Sequence, residues 1–228
     1  MVSIGEMKRL CDTLDVAQRE YLIGTYQMRV DVPSVYKRFP PATAAEIAKL
    51  EKEFGMKCPP SYRAFLKIQN GWRRFGLGWS LLGAPRPESK DLQATVKQTL
   101  GQTGAVANEQ ELKDLLEKEK KDPRLIHPAH HWIIGTDANF NLLLFDRNRV
   151  SKDGEPQVVS TRYIIHVECR WKNFEAYFKD VLRRVQKRVQ DQRAMAAKKE
   201  AGKAVGSSSA SAGSKTRVAR QAGRSRRK

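Results

Sequence analysis

A chain of 228 residues with 40 % apolar side chains can bury the core of one domain of ordinary size and still carry appendages. Three cysteines far apart in sequence (Cys11, Cys58, Cys169) argue against a disulfide framework and for reduced thiols in a cytoplasmic protein. No apolar run of about 18 residues is present, so no membrane span is expected, and the charged start of the chain is not that of a secretory signal. The net charge of +18 invites a nucleic-acid or membrane-surface reading, but it is unevenly spread. Residues 183–228 hold 15 Lys/Arg against 2 Asp/Glu, which leaves 28 against 23, a net of only +5, for residues 1–182.

Ile4, Met7, Leu10, Cys11 and Leu14 fall on one face of a helix, and Tyr21, Leu22 and Tyr26 mark a further helical piece that Gly24 weakens. Pro33, Pro40 and Pro41 make 30–42 an extended connector. Thr43 and Glu46 have capping-box spacing ahead of Ile47, Leu50 and Phe54, with Gly55 as the C′ residue. Pro59-Pro60 opens a short amphipathic helix with Tyr62, Phe65, Leu66 and Ile68, and Asn70-Gly71, free to adopt positive φ, stops it. The alternation of Phe75, Leu77, Trp79 and Leu81 predicts an extended run. Residues 84–104 read as a loop with one helical turn. Asn108 and Glu111 repeat the cap spacing before a short helix at Leu112, Leu115 and Leu116, whose charged end, Glu117 to Lys121, is expected in solvent.

Strands follow at Trp132-Ile133-Ile134, Leu142 to Phe145, Gln157 to Ser160 and Tyr163 to Val167, with turns at Asp137 to Asn141 and Lys152 to Gly154. Phe174, Tyr177, Phe178, Val181, Leu182, Val185 and Val189 line one face of a long helix that turns basic from Arg183. Residues 198–228 hold hardly any large apolar side chains and are expected to be disordered.

His127, His130 and His131, with Asp137 nearby, are candidate metal ligands, but Pro128 breaks any helix that would align them and no partner pair follows at finger spacing; a polar loop is the plainer reading. Cys58 is a candidate nucleophile without a base beside it, and reads as a small buried residue. Asp137 and Asp146 are explained by turn and strand-end roles as well as by acid–base work. Glu51 and Glu53 point to different faces of their helix, so that one reaches a backbone amide and the other stays solvated. No catalytic, cofactor or metal residue is therefore assigned. Trp72, beside Arg73 and Arg74, is expected to be partly exposed, as tryptophan and arginine at a binding surface would be. Asn70, Trp72, Arg73, Arg74, Trp79, Asp137 and Asn139 are the candidate partner-binding residues. Arg217, Arg220, Arg224, Arg226, Arg227 and Lys228 are candidates for non-specific contact with nucleic acid or another polyanion.

The order of these motifs resembles the SMI1/KNR4 (SUKH) superfamily: Glu51 and Glu53 on a capped helix, Pro59-Pro60 with Phe65-Leu66 and Asn70-Gly71, Ile133-Ile134-Gly135, Asp137 to Asn141 leading into Leu142 to Asp146, then Phe174 and Tyr177-Phe178. The resemblance spans about 40–182. It implies an α+β fold, a mixed β-sheet packed against α-helices, preceded by a helical extension and linker at 1–39 and followed by a basic helical continuation at 183–197 and the tail at 198–228. Phe140-Asn141 stands where the family often has glycine, and neither the long insertion between Gly83 and Trp132 nor the basic tail is a family feature. The role the resemblance implies is protein binding without catalysis, of the kind seen in bacterial immunity proteins that neutralise toxins, or in eukaryotic regulatory scaffolds. The tail adds an alternative, a nucleic-acid-associated adaptor.

Overall fold

The computed structural model describes residues 2–26, 36–102, 109–137, 139, 141–162 and 165–218. Helix α1 (Ile4–Tyr26) comes first, then strand β1 (Lys37–Arg38), α2 (Ala44–Phe54), α3 (Pro60–Leu66), and the β2–β3 hairpin (Trp72–Phe75, Trp79–Leu81). The insertion follows, with α4 (Lys90–Gln102) and α5 (Glu109–Lys121). Strands β4 (Trp132–Thr136), β5 (Leu142–Val150), β6 (Pro156–Arg162) and β7 (His166–Trp171) complete the sheet before α6 (Phe174–Val218). The fold is α+β as the resemblance implies. Its sheet is an antiparallel meander in the order β1 to β7, each strand pairing with its sequence neighbour, rather than a mixed sheet.

Residues 2–186 form one compact unit and the rest of α6 a second. The main core lies between one face of the sheet and helices α1, α2, α3 and the first turns of α6, with Phe65, Trp72, Phe75, Trp132, Phe145, Phe174 and Phe178 almost wholly buried. Met7, Leu10, Cys11 and Leu14 join it, and α1 packs on α3, so the N-terminal segment is built into the domain instead of lying outside it. Ile133, Leu142, Leu144 and Val159 cover the opposite face and pack against Val96 and Leu100 of α4.

The local signals at 43–60 are realised closely, whereas the helix begun at Pro60 ends at Leu66 with Lys67 still right-handed, ahead of the expected stop at Asn70-Gly71. Thr43 accepts the Glu46 N–H at 3.2 Å while Glu46 accepts the Thr43 N–H at 2.7 Å, and Gly55 closes α2 in the left-handed region at φ 63°. Helix α3 is only seven residues long, too short to stand alone, and both of its ends are held from elsewhere. Pro59 offers no side-chain cap; Glu155, buried in the β5–β6 turn, supplies one by accepting from the Ser61 N–H at 2.6 Å and the Ser61 hydroxyl at 2.7 Å. At the other end the Asn70 side chain mimics a strand partner, donating to the Ala84 carbonyl at 2.9 Å and accepting the Ala84 N–H at 2.6 Å.

Three expectations change. Residues 75–81 are not one extended run: Gly76, Leu77 and Gly78 take positive φ and fold the segment into a hairpin. Residues 90–102 are a helix, because Leu92, Val96, Thr99 and Leu100 recur at helical spacing on a buried side, from which Val96 and Leu100 pack against the sheet's second face. The last strand is His166–Trp171, later than Tyr163 to Val167; Tyr163 and Ile164 lie outside the described residues. Helix α6 continues through Lys198, where the composition loses its large apolar residues, to Val218; residues 190–201 are exposed apart from half-buried Gln192.

Replacing Asn70 with Ala leaves the Ala84 N–H and carbonyl buried without partners, and is expected to cost about 2–4 kcal/mol. Gly83→Ala should cost a comparable amount, since a Cβ there would come within 2.2 Å of the Asn70 side-chain oxygen. Urea unfolding of the two variants measures this; a loss below about 0.5 kcal/mol for both would show that the clasp does not hold the fold.

Candidate functional site

The register of the sheet decides which loops meet. Ser80 pairs with Thr136, and Thr136 with Leu142, so the β2–β3 turn (76–78) and the β4–β5 turn (137–141) project from the same end of the sheet. The β2–β3 hairpin and the β4–β5 turn, which carry all of the sequence-derived partner-binding residues except Asn70, thus share one end of the sheet.

Their side chains do not all face outward. Asn70 is 1 % exposed and is committed to the clasp on Ala84. Trp72, expected at the surface, is 0 % exposed: its position on β2 points into the main core, where its ring meets Tyr36 at 5.5 Å and Phe75 at 5.3 Å edge-on, with the Arg38 guanidinium over it at 5.2 Å. Arg73, on the alternate face of the strand, is half-buried and ion-paired with Asp91 at the start of α4. Arg74 is exposed, with φ 51°, and gives its N–H to the Ser80 hydroxyl at 3.1 Å. Leu77 has φ 61°; two non-glycine residues at positive φ in one short hairpin mark a strained tip. Leu77 and Trp79 are half-buried.

Across the gap, Asp137 organises its own turn. One carboxylate oxygen accepts the N–H groups of Asn139 (2.8 Å) and Asn141 (3.0 Å), the other the Asn141 side-chain amide at 3.0 Å. Asn139 is exposed. At this end of the sheet Arg74 and Asn139 are exposed, while Leu77 and Trp79 are half-buried against the main core.

The histidines separate. His131 is not part of a polar loop but is fully buried, and its carboxylate partners are Glu119 and Asp146 rather than Asp137 of the candidate set. Its Nδ1 accepts the Arg147 N–H at 3.1 Å, so the proton sits on Nε2, which donates to Glu119 at 2.7 Å. Glu119 also accepts from the His127 N–H at 3.0 Å and the Asn148 side chain at 3.0 Å. Asp146 receives Arg170 at 2.6 Å and the Asn148 N–H at 3.0 Å. Ligand atoms of Glu119, His131 and Asp146 lie within 4.8 Å of one another, the spacing a metal ion would need. Each is already engaged, however, and the imidazole lone pair that would bind the ion is held by the backbone, so the arrangement fits a structural lock better than a metal centre. Glu119 had the look of a solvated residue in a charged run; its side chain is 7 % exposed and fixes α5 to β5.

Cys58 is buried, and that burial pushes its thiol up to about 12, with Glu51 adding to the effect. No reactive thiolate is available there. Glu51 is the glutamate that reaches a backbone amide, accepting from the Cys58 N–H at 2.8 Å and from Arg63 at 2.8 Å, and Glu53 is exposed. Asp146 is separated from Asp137 by the buried run Leu142 to Phe145, so the two do not form an acid–base pair. Of the candidate polyanion contacts, Arg217 lies on α6, and Arg220, Arg224, Arg226, Arg227 and Lys228 lie outside the described residues. No helix among the described residues is long and apolar enough to cross a membrane.

A profile of the SMI1/KNR4 family (SUKH-1) matches residues 41–182, and the chain belongs to that family. No curated protein matches the chain. The matched region begins before α2 and ends within α6, so α1 and β1 complete its core from outside it.

Burial alone pushes the Glu119 carboxyl up, but hydrogen bonds from His131 and the His127 N–H outweigh it and hold it below the usual glutamate value. A lowered folded-state pKa adds stability above the unfolded value, about 4.3, and that contribution is lost as pH falls through the folded value. Glu119→Gln should thus cost about 1–3 kcal/mol at pH 7, and the gap from the parent protein should close on acidification below about 4.3. Urea unfolding from pH 7 to pH 3 reads this; a gap that stays constant or widens with acid would refute the lock.

Proposed function

We propose that this member of the SMI1/KNR4 family is a non-enzymatic protein-binding module of the immunity type, which neutralises a toxin in the cytoplasm by direct binding. The observation that supports it is the register that gathers the two turns at one end of the sheet, where a strained hairpin presents Arg74, Leu77 and Trp79 beside the Asn139 turn. Arginine and tryptophan on a rigid hairpin are the residue types that dominate binding energy at protein interfaces. The cation at this end favours an acidic patch on the partner, which fits a domain that is itself slightly basic.

The test is affinity capture followed by quantitative binding with the recovered partner. Arg74→Glu, at an exposed position, is expected to weaken binding about tenfold or more, equivalent to about 1.4 kcal/mol, with the unfolding transition little changed; Trp79→Phe, which keeps an aromatic ring against the core, is expected to weaken binding in the same direction. Recovery of no partner by an intact domain, or a partner indifferent to both changes, would defeat the reading.

A second reading attaches to α6, whose exposed Arg183, Arg184, Lys187, Arg188, Arg193, Lys198 and Lys199 precede the arginine-rich terminus. A chain of this kind is suited to contacting nucleic-acid phosphates without sequence preference. The full chain is then expected to bind DNA or RNA with affinity that falls steeply with salt, and a chain ending at residue 195 to bind much more weakly. Equally poor binding by the two would sink this role.

A further inference from the structure

At the end of β4 opposite the Asp137 turn, the structure leaves a gap in the sheet. Strand β3 stops at Leu81 because the Asn70 clasp draws the chain away at Ala84, and the Leu82 N–H to Ile134 carbonyl bond at 2.8 Å is the last link between the two segments. Gly83 must remain without a side chain, since a Cβ there would collide with Asn70. The start of β4 thus lacks a neighbour that could fill the space beside it. Helix α4 of the insertion roofs the gap, and a cavity of about 330 Å³ remains, open to solvent.

Its chemistry is uniform. Leu82, Ile133, Val96 and Leu100 form apolar walls, and half-buried Phe54, stacked on the buried Trp132 with ring centroids 4.5 Å apart, forms an aromatic one. The polar side chains at the wall are committed: both His131 nitrogens have partners, the Tyr62 hydroxyl donates to the Leu82 carbonyl, and the Gln93 amide donates to Ser89. Lys97 and Glu53, both exposed and of opposite charge, belong to the lining as well, so the site has no net charge to select an anion or a cation. The volume is at the small end of the range of ligand pockets, and walls of this kind are typical of them. An aromatic guest gains edge or face contacts with Phe54, whose ring the buried Trp132 holds in place.

We infer that this cavity is a binding site for a small, uncharged, planar aromatic molecule, for which indole is the simplest two-ring probe. The site is at the other end of the sheet from the two turns and does not rest on the protein-binding role. Isothermal titration of the full chain with indole is expected to show one saturable site. Val96→Trp, which fills the cavity, and Lys97→Trp, which covers it from an exposed helix position, are each expected to weaken binding about tenfold or more, while Arg74→Glu leaves it unchanged. Lys97→Trp keeps the test decisive if Val96→Trp does not fold. Indole-3-acetate and tryptamine should bind no better than indole. No saturable binding of indole up to its solubility, binding untouched by Lys97→Trp, or a tenfold preference for either charged analogue would overturn the inference.

Discussion

The double hydrogen bond between the Asn70 side chain and the Ala84 backbone is the constraint on which the arrangement of this domain depends. It joins the exit of α3 to the exit of β3, and the Asn70 N–H reaches the Pro40 carbonyl at 3.0 Å in the same place. Three chain segments that are remote in sequence are thereby fixed around one amide. Gly71 at φ 100° and Gly83 are the backbone conditions of that approach, because a Cβ on either would press into Leu81 or Asn70. With α3 held here at one end and by Glu155 at the other, Tyr62, Phe65 and Leu66 are aimed into the core; burying each such side chain is worth about 1.5–3 kcal/mol.

The insertion is anchored by charge as much as by apolar packing. Arg86 forms two bonds to Glu46 at 2.5 and 2.6 Å, and this, ahead of the capping bonds from Thr43, holds the Glu46 carboxyl down to about 2. The helix cap of α2 is therefore also the mooring of the insertion's first residues. Arg73 takes Asp91 at the start of α4, and Glu119 ties α5 to His131 and Asn148. Between these moorings α4 lies over Ile133, Leu142, Leu144 and Val159, which would otherwise face water. The insertion thus gives the sheet a second covered face.

What the sequence disclosed was what local chemistry determines. The capping box at Thr43, the glycine stop at 55 and the Asp137 turn each involve partners within a few residues, and each is present; α3 starts at Pro60 as expected but ends at Leu66, ahead of Asn70-Gly71, of which only Gly71 takes positive φ. The family-level order of motifs carried the α+β fold. What stayed hidden depends on distant partners. Trp72 follows a helix stop and precedes two arginines, yet strand alternation turns it inward and Arg73 outward. Residues 90–102 look like loop, because their apolar residues are few and match a face of the sheet that only the fold creates. Glu119 lies in a run of charge, with nothing local to mark it as the partner of a buried histidine. The hairpin at 76–78 was the readable miss: glycines on both sides of Leu77 are the composition of a turn.

The same buried framework explains why the turns at one end can keep their strain. Gly76 is seated so closely on α6 that a Cβ would come within 2.2 Å of Val181, so the hairpin is pressed against the domain's last core helix. On the other side Ser80, paired with Thr136 in β4, holds the Arg74 N–H. Positive φ at Arg74 and Leu77 costs free energy that a loose loop would relieve by rearranging. Here neither flank can move without opening the core or the sheet. A hairpin fixed in this way has little backbone conformational entropy left to lose, which is the physical advantage that the proposed binding surface would gain from being built on a scaffold.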